Sequence, residues 1–109
     1  MSAALKHGVS KFMYQKAVRD KIPDIIKKSG QKCDVEVLND LMFYDAMRKK
    51  LQEEVLEYLE SSDIEELADI IEVVYKLCEM EGTSPEELEK IRLNKREERG
   101  GFDKNLFLK

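Results

Sequence analysis

The chain has 109 residues, of which 39% are charged, and a formal net charge of −4. Its length predicts one domain, and it contains no run of about 18 apolar residues that could span a membrane. The chain has no CxxC pair and only one histidine, His7, which argues against a zinc site and against Ser–His or Cys–His catalysis. Its overall acidity argues against nucleic acid as the main partner.

Residues 1–15 are expected to form a flexible leader, and residues 16–109 the domain. The leader lacks the apolar core of a signal peptide, and together with two unpaired cysteines this indicates a cytoplasmic protein. A short helix should follow, with Asp20 as its N-cap, Pro23 in its first turn and Gly30 as its stop.

The overall pattern predicts an all-α fold, a small bundle of about four helices. A weak alternation over Cys33–Leu38, with Val35 and Val37 on one side, could form a short strand. Its partner would be Asn105–Leu108, so a minor strand pair is an additional hypothesis.

A long helix should begin at a cap formed by Asn39 or Asp40 and end near Glu60. Its apolar stripe recurs at helical spacing and comprises Tyr44, Met47, Leu51, Val55 and Tyr58. Glu54 falls inside the border of this stripe, so its carboxylate should be partly withdrawn from water.

The next helix should start after the turn Ser61–Asp63, with Ser62 and Glu65 as a capping box. It has two nearly opposite apolar faces, one formed by Ile64, Leu67, Ala68, Ile71, Val74, Tyr75 and Cys78 and the other by Ile70, Val73, Leu77 and Met80. A helix that is apolar on two sides is buried on two sides, so we expect a homo-oligomer, a dimer or a dimer of dimers.

Glu66 points into the middle of the second apolar face of that helix, and Asp69 lies at its edge. Burying an unpaired carboxylate costs several kcal/mol. This break in the pattern therefore requires an explanation such as a bound cation.

The last helix has a specific start signal in Ser84-Pro85-Glu86-Glu87 and should end near Arg99, before two glycines. One face of it carries Arg92, Lys95, Arg96 and Arg99. These side chains, with Arg19 and Lys21, could clamp phosphate charge, or they could form an ordinary surface stripe paired with nearby acids.

The acidic side chains of the two central helices form the strongest candidate site. Glu53, Glu54 and Glu57 share one side of the first helix, and an antiparallel partner could bring Glu66 and Asp69 to them. The alternative is a solvated face on which Lys49 and Lys50 pair with these acids. An all-carboxylate site suits Mg²⁺, or Mn²⁺ in its place, and a carboxylate left off the metal could orient the attacking water.

Taken together, EExxE at Glu53–Glu57 and ExxD at Glu66–Asp69 resemble the motifs of the MazG-like all-α nucleoside triphosphate pyrophosphohydrolases, a superfamily that includes phosphoribosyl-ATP pyrophosphohydrolase. Three neighbouring stretches strengthen the likeness: VRDKIPDII at Val18–Ile26, EELADIIEV at Glu65–Val73 and KREERGGF at Lys95–Phe102.

The resemblance implies a helical bundle that hydrolyses an NTP or dNTP to a nucleoside monophosphate and pyrophosphate, with house-cleaning of non-standard nucleotides as its role. It implies catalysis by Glu53 and Glu54, and Mg²⁺ held by Glu54, or Glu53 in its place, with Glu57, Glu66 and Asp69. Only eight residues, Tyr58–Glu65, separate the two motifs, which leaves little loop for base selection. The alternatives are a phosphoribosyl-ATP pyrophosphohydrolase and a non-catalytic helical assembly or regulatory module.

Overall fold

The computed structural model describes residues 15–109, so the predicted leader lies outside the described residues except for Gln15. The described part is all-helical and contains no strand. Its four helices are α1 (Ile22–Lys28), α2 (Asp40–Ser61), α3 (Ile64–Met80) and α4 (Pro85–Arg99). None of these helices combines the length and the apolar composition needed to cross a bilayer.

The hypothesis of a minor strand pair is wrong. Neither Cys33–Leu38 nor Asn105–Leu108 forms a strand. Val37 and Leu108 are almost completely exposed, so the alternation in these segments has no apolar surface to pack against. Two isolated short strands are at best marginally stable in water, which explains why the pattern alone does not produce a sheet.

The caps predicted for the two longest connections are confirmed. The side chain of Asn39 accepts a hydrogen bond from the backbone N–H of Met42 at 2.8 Å and starts α2. Ser84 accepts from the N–H of Glu87 at 3.1 Å and starts α4, with Pro85 as the first helical residue. Each bond satisfies a backbone donor that the helix itself leaves without a partner.

Two other predicted caps are wrong by one residue. The N-cap of α1 is Lys21, not Asp20, and its side chain makes no capping bond. Ser62 closes α2 in the left-handed conformation (φ 54°), so Asp63 takes the N-cap position of α3 and accepts from the N–H of Glu65. Asp63 can cap α3 because its backbone is extended, whereas the left-handed backbone of Ser62 is used to end α2.

Helices α2 and α3 form an antiparallel pair joined by only two residues. Near its far end, Tyr44 of α2 donates a hydrogen bond to Glu81, just after α3, at 2.8 Å. Ala17, Met47 and Val73 are the buried centre of the pair, and the half-buried apolar side chains packed against them are Phe43, Ala46, Leu51, Leu77 and Met80. Helix α4 packs against α3.

Within the described chain the second apolar face of α3 is covered, whereas the first face is covered only in part. Val73 is buried and Leu77 packs against the core, whereas Ile64 and Ile71 remain 73% and 50% exposed. We call the outward residues the outer stripe of α3: Ile64, Ala68, Ile71 and Tyr75. Cys78, which borders this stripe, is buried as expected.

The predicted stripe of α2 is also only partly covered. Met47 is buried, but Val55 is 38% exposed. The neighbouring residue Glu54 is instead buried, with only 3% of its surface exposed. Thus an acidic residue lies where an ordinary amphipathic helix would bury an apolar one.

Candidate metal centre

The antiparallel pair brings all five acidic residues of the two motifs into one carboxylate cluster. Carboxylate oxygens of Glu53, Glu54 and Glu57 lie within 4.8 Å of one another. Those of Glu54, Glu66 and Asp69 satisfy the same limit, so Glu54 belongs to both groups. We call the first group the α2 triad and the second the bridging triad, because the second joins α2 to α3. The cluster could bind a metal ion.

Three members of the cluster are withdrawn from solvent, so they do not form a solvated acidic face. Glu54, Glu57 and Glu66 are each at least nine-tenths buried. One oxygen of Glu54, Oε2, is buried and has no hydrogen-bond partner among the described residues. A buried carboxylate oxygen without a partner loses its hydration and gains no compensating bond. Some positive ligand would relieve that cost.

Two lysines lie against the α2 triad. Lys50 Nζ is 2.9 Å from Glu53 Oε2 and 3.1 Å from Glu54 Oε1, and Lys16 Nζ is 3.4 Å from the same oxygen of Glu53. The pairing predicted for Lys50 is therefore present. Lys49 instead pairs with Asp45 at 3.2 Å on the outside of the helix.

The two lysines respond differently to this setting. Burial alone would lower the pKa of Lys50, but the hydrogen bond from Lys50 to Glu53 and the charges of Glu53 and Glu54 outweigh it and raise that pKa. Burial, followed by repulsion from Lys50, lowers the pKa of Lys16 despite the attraction of Glu53. Lys50 is thus the ammonium group that the carboxylates hold most firmly.

On the other side of the cluster, Arg19 Nη2 lies 2.6 Å from Asp69 Oδ1. Arg19 is the one predicted phosphate ligand that the described contacts bring to the carboxylates. Its side chain is about half exposed, whereas Ala17, two residues earlier, is buried in the core. Residues 16–19 therefore cross the cluster before α1 begins, reaching from Glu53 on α2 to Asp69 on α3.

The remaining predicted phosphate ligands are not brought to the cluster by any hydrogen bond or ion pair within residues 15–109. All of them are exposed: Lys21, Arg92, Lys95, Arg96 and Arg99. Arg92 is paired with Glu89 at 2.7 Å, and this hydrogen bond lowers the pKa of Glu89 and raises that of Arg92. Arg96 lies 3.9 Å from Asp103. Their phosphate-binding role stays a prediction.

Lys16 and Lys50 lie at the site but were not predicted as site residues from the sequence. For Lys50 the signal existed, because it precedes Glu53 and Glu54 by three and four residues, the spacing of neighbours on a helix. That spacing suggested only a surface pair. Lys16 lies 37 residues from Glu53, and no local pattern indicates such a contact.

The donor set fits a hard divalent cation. Every candidate ligand is a carboxylate oxygen, which suits Mg²⁺ or Mn²⁺. Of the two cysteines, Cys78 is buried beside the outer stripe of α3, and neither belongs to the described groups that could hold an ion. The buried Oε2 of Glu54, without a hydrogen-bond partner among the described residues, is the observation that most directly favours a positive ligand at the cluster.

No family model matches the chain, and no curated protein or solved structure matches it. The likeness to the MazG-like pyrophosphohydrolases therefore rests on the motifs in the sequence. In the described structure, the carboxylates of both motifs lie together in one largely buried cluster.

Proposed function

We propose that this protein is a Mg²⁺-dependent nucleoside triphosphate pyrophosphohydrolase that acts on an NTP or dNTP, with Mn²⁺ as a substitute metal. The observation that carries the proposal is the buried carboxylate cluster, in which Glu54 has an oxygen without a hydrogen-bond partner among the described residues. The likeness of the two motifs to the MazG-like enzymes supplies the reaction, hydrolysis of the anhydride between the α- and β-phosphates. Removal of non-standard nucleotides is the role that we assign to it.

In this proposal Glu54, Glu57, Glu66 and Asp69 hold the ion. A bound divalent ion neutralises phosphate charge and lowers the pKa of a coordinated water. Glu53 is half-buried and is held by Lys16 and Lys50, so it is the carboxylate best fixed to orient a water molecule. The reaction consumes one water and releases a nucleoside monophosphate and pyrophosphate.

Arg19 is the cation best placed to receive the polyphosphate. Its guanidinium group already lies at the edge of the cluster, and its half-exposed side chain can turn from Asp69 toward a ligand. Lys21, near Arg19, and the basic face of α4 are exposed and add positive charge for the substrate. Arg92, Lys95, Arg96 and Arg99 form that face.

Turnover of purified protein with Mg²⁺ and a panel of nucleotides tests the reaction. We expect a nucleoside monophosphate and pyrophosphate in equal amounts from at least one NTP or dNTP. Release of inorganic phosphate instead would contradict cleavage at the α–β position. Turnover of phosphoribosyl-ATP alone would favour that pyrophosphohydrolase, and no turnover of any substrate would favour the non-catalytic assembly module.

Metal binding should also be visible without any substrate. Because the buried carboxylates repel one another, Mg²⁺ should bind the folded chain far better than the unfolded chain. At a concentration of about 100 times the dissociation constant, the gain of about 2.7 kcal/mol should raise the melting temperature by about 10 °C. The measurement is thermal unfolding in EDTA and in Mg²⁺, with K⁺ at equal ionic strength as the control. Equal melting temperatures in Mg²⁺, Mn²⁺ and EDTA would contradict a metal site.

We further propose that the chain works as a homo-oligomer, a dimer or a dimer of dimers, in which a second copy covers the outer stripe of α3. Among the described residues only four apolar side chains are buried: Ala17, Met47, Val73 and Cys78. So small a core leaves the exposed Ile64 and Ile71 as the main apolar surface still available for burial on that helix.

A further inference from the structure

An open groove of about 510 Å³ runs along the first half of α2. Its apolar lining comprises Leu38, Leu41, Met42 and Ala46, the first of which precedes the helix. Leu41 and Met42 are 80% and 53% exposed, so much of this apolar surface is uncovered within the described chain. A volume of this size with a mainly apolar lining is typical of sites that bind small molecules.

The polar lining of the groove is mainly basic. Lys16, Arg48, Lys49 and Lys50 line it, and Asp45 is the one acidic residue among its described lining residues. Asp45 is itself paired with Lys49 at 3.2 Å. The chain as a whole carries a net charge of −4, so this excess of positive charge is local to the groove. Such a groove suits a ligand that is apolar in one part and anionic in another.

The groove and the carboxylate cluster share two side chains. Lys50 and Lys16 line the groove, and the ammonium group of each also contacts Glu53, at 2.9 and 3.4 Å. Lys50 reaches Glu54 as well, at 3.1 Å. A ligand whose apolar part occupies the groove could therefore place its anionic part at the cluster. In the proposed metal site a divalent ion would separate that anionic part from the carboxylates.

We propose that this groove binds the nucleoside of the substrate, and that the nucleotide lies across the carboxylate cluster with its outer phosphates toward Arg19. Arg19 contacts the cluster at Asp69 on α3, whereas Lys16 and Lys50 contact it on α2, from the groove. A triphosphate whose nucleoside lies in the groove therefore reaches the cluster first and Arg19 last. This inference rests on the proposed function, because it requires a nucleotide as the ligand of the cluster.

The test compares two kinds of ligand by isothermal titration calorimetry in Mg²⁺. One kind is the set of α,β-methylene analogues of ATP, GTP, CTP and UTP, and the other is inorganic tripolyphosphate, which has no nucleoside. The groove variant carries Leu41→Asn and Met42→Asn, which remove apolar surface at two exposed positions. We expect it to bind the analogues at least about tenfold more weakly than the wild type, and tripolyphosphate within about twofold of the wild type.

The matched control carries Leu56→Asn and Leu59→Asn, at two exposed positions of α2 outside the described lining of the groove. It should bind both kinds of ligand like the wild type. If the groove variant does not fold, as judged by circular dichroism, Leu41→Asn alone takes its place. Arg19→Met tests the orientation and should weaken the analogues and tripolyphosphate by similar factors, because Arg19 would contact phosphates only. A larger loss for the analogues would place Arg19 at the nucleoside and overturn the orientation.

A wild type that binds none of the analogues overturns this inference, and so does a groove variant that binds them like the wild type. If that variant instead has a lower mass by light scattering, the groove is a contact between copies. Because the analogues cannot be hydrolysed between the α- and β-phosphates, the affinities are independent of turnover. A wild type that binds them through the groove but hydrolyses no nucleotide would defeat the proposed reaction alone. Normal hydrolysis with an unaffected groove variant would defeat this inference alone.

Discussion

Replacing Glu54 with Gln should reduce nucleotide hydrolysis by about 10³-fold while leaving the metal-free fold at least as stable as the wild type. Glu54 is shared by both triads, so in the proposed site its replacement removes a ligand of the ion. A loss of about 4 kcal/mol of transition-state stabilisation corresponds to this factor. The fold should tolerate the change because the amide oxygen of Gln can still accept a hydrogen bond from Lys50, while one of several crowded negative charges is removed.

The two measurements are pyrophosphate release in Mg²⁺ and the melting temperature in EDTA. Glu60→Gln is the matched control, since Glu60 lies on the same helix but is exposed, and neither quantity should change. A Glu54→Gln protein that melts several degrees lower yet hydrolyses nucleotide normally would show that Glu54 is only a structural partner of Lys50. That outcome would remove the main support for the metal site.

Placing a charge at the centre of the outer stripe of α3 should separate the proposed oligomer into single chains. Ile71 lies one turn from both Ala68 and Tyr75 and is half exposed within one chain. Ile71→Glu would bury an unpaired carboxylate at a contact with a second copy, at a cost of about 3 kcal/mol or more. The dissociation constant should therefore rise by at least about 100-fold.

Light scattering across a range of protein concentrations measures this effect. Lys76→Glu, on the same helix but directed away from the stripe, introduces the same side chain at an exposed position and should leave the assembly intact. A wild-type chain that is monomeric at micromolar concentration would contradict the proposed oligomer. An Ile71→Glu chain that remains assembled would show that the copies contact each other through another surface.

The main features of the fold could be predicted because they are encoded locally. Asn39 and Ser84 are capping residues that directly precede a helical pattern, and together these two local signals fix the first residues of α2 and α4. The convergence of the acidic motifs could be anticipated as well, since helices joined by a very short turn are adjacent and often form an antiparallel hairpin. The position of Glu66 in the middle of an apolar face predicted a buried carboxylate, and Glu66 is indeed buried.

Contacts between distant parts of the chain could not be predicted in this way. Arg19 and Asp69 are separated by 50 residues, and nothing near either residue indicates the other. Lys16 belongs to the same class. The strand prediction was wrong because the alternation in Cys33–Leu38 is only a local signal. A strand forms there only if a distant part of the chain supplies a surface to pack against.

The interior of the described chain has an unusual consequence for how this protein can change over evolution. Its buried residues comprise four apolar side chains and the three carboxylates of Glu54, Glu57 and Glu66. Because the described core has so few apolar contacts, a substitution elsewhere that weakens packing is best compensated by neutralising one of these acids. Under the proposed function, that change also removes a ligand of the metal ion. We therefore expect robustness and activity to be in direct opposition at the same three positions. Selection for heat resistance alone should drive the lineage toward an inert helical scaffold.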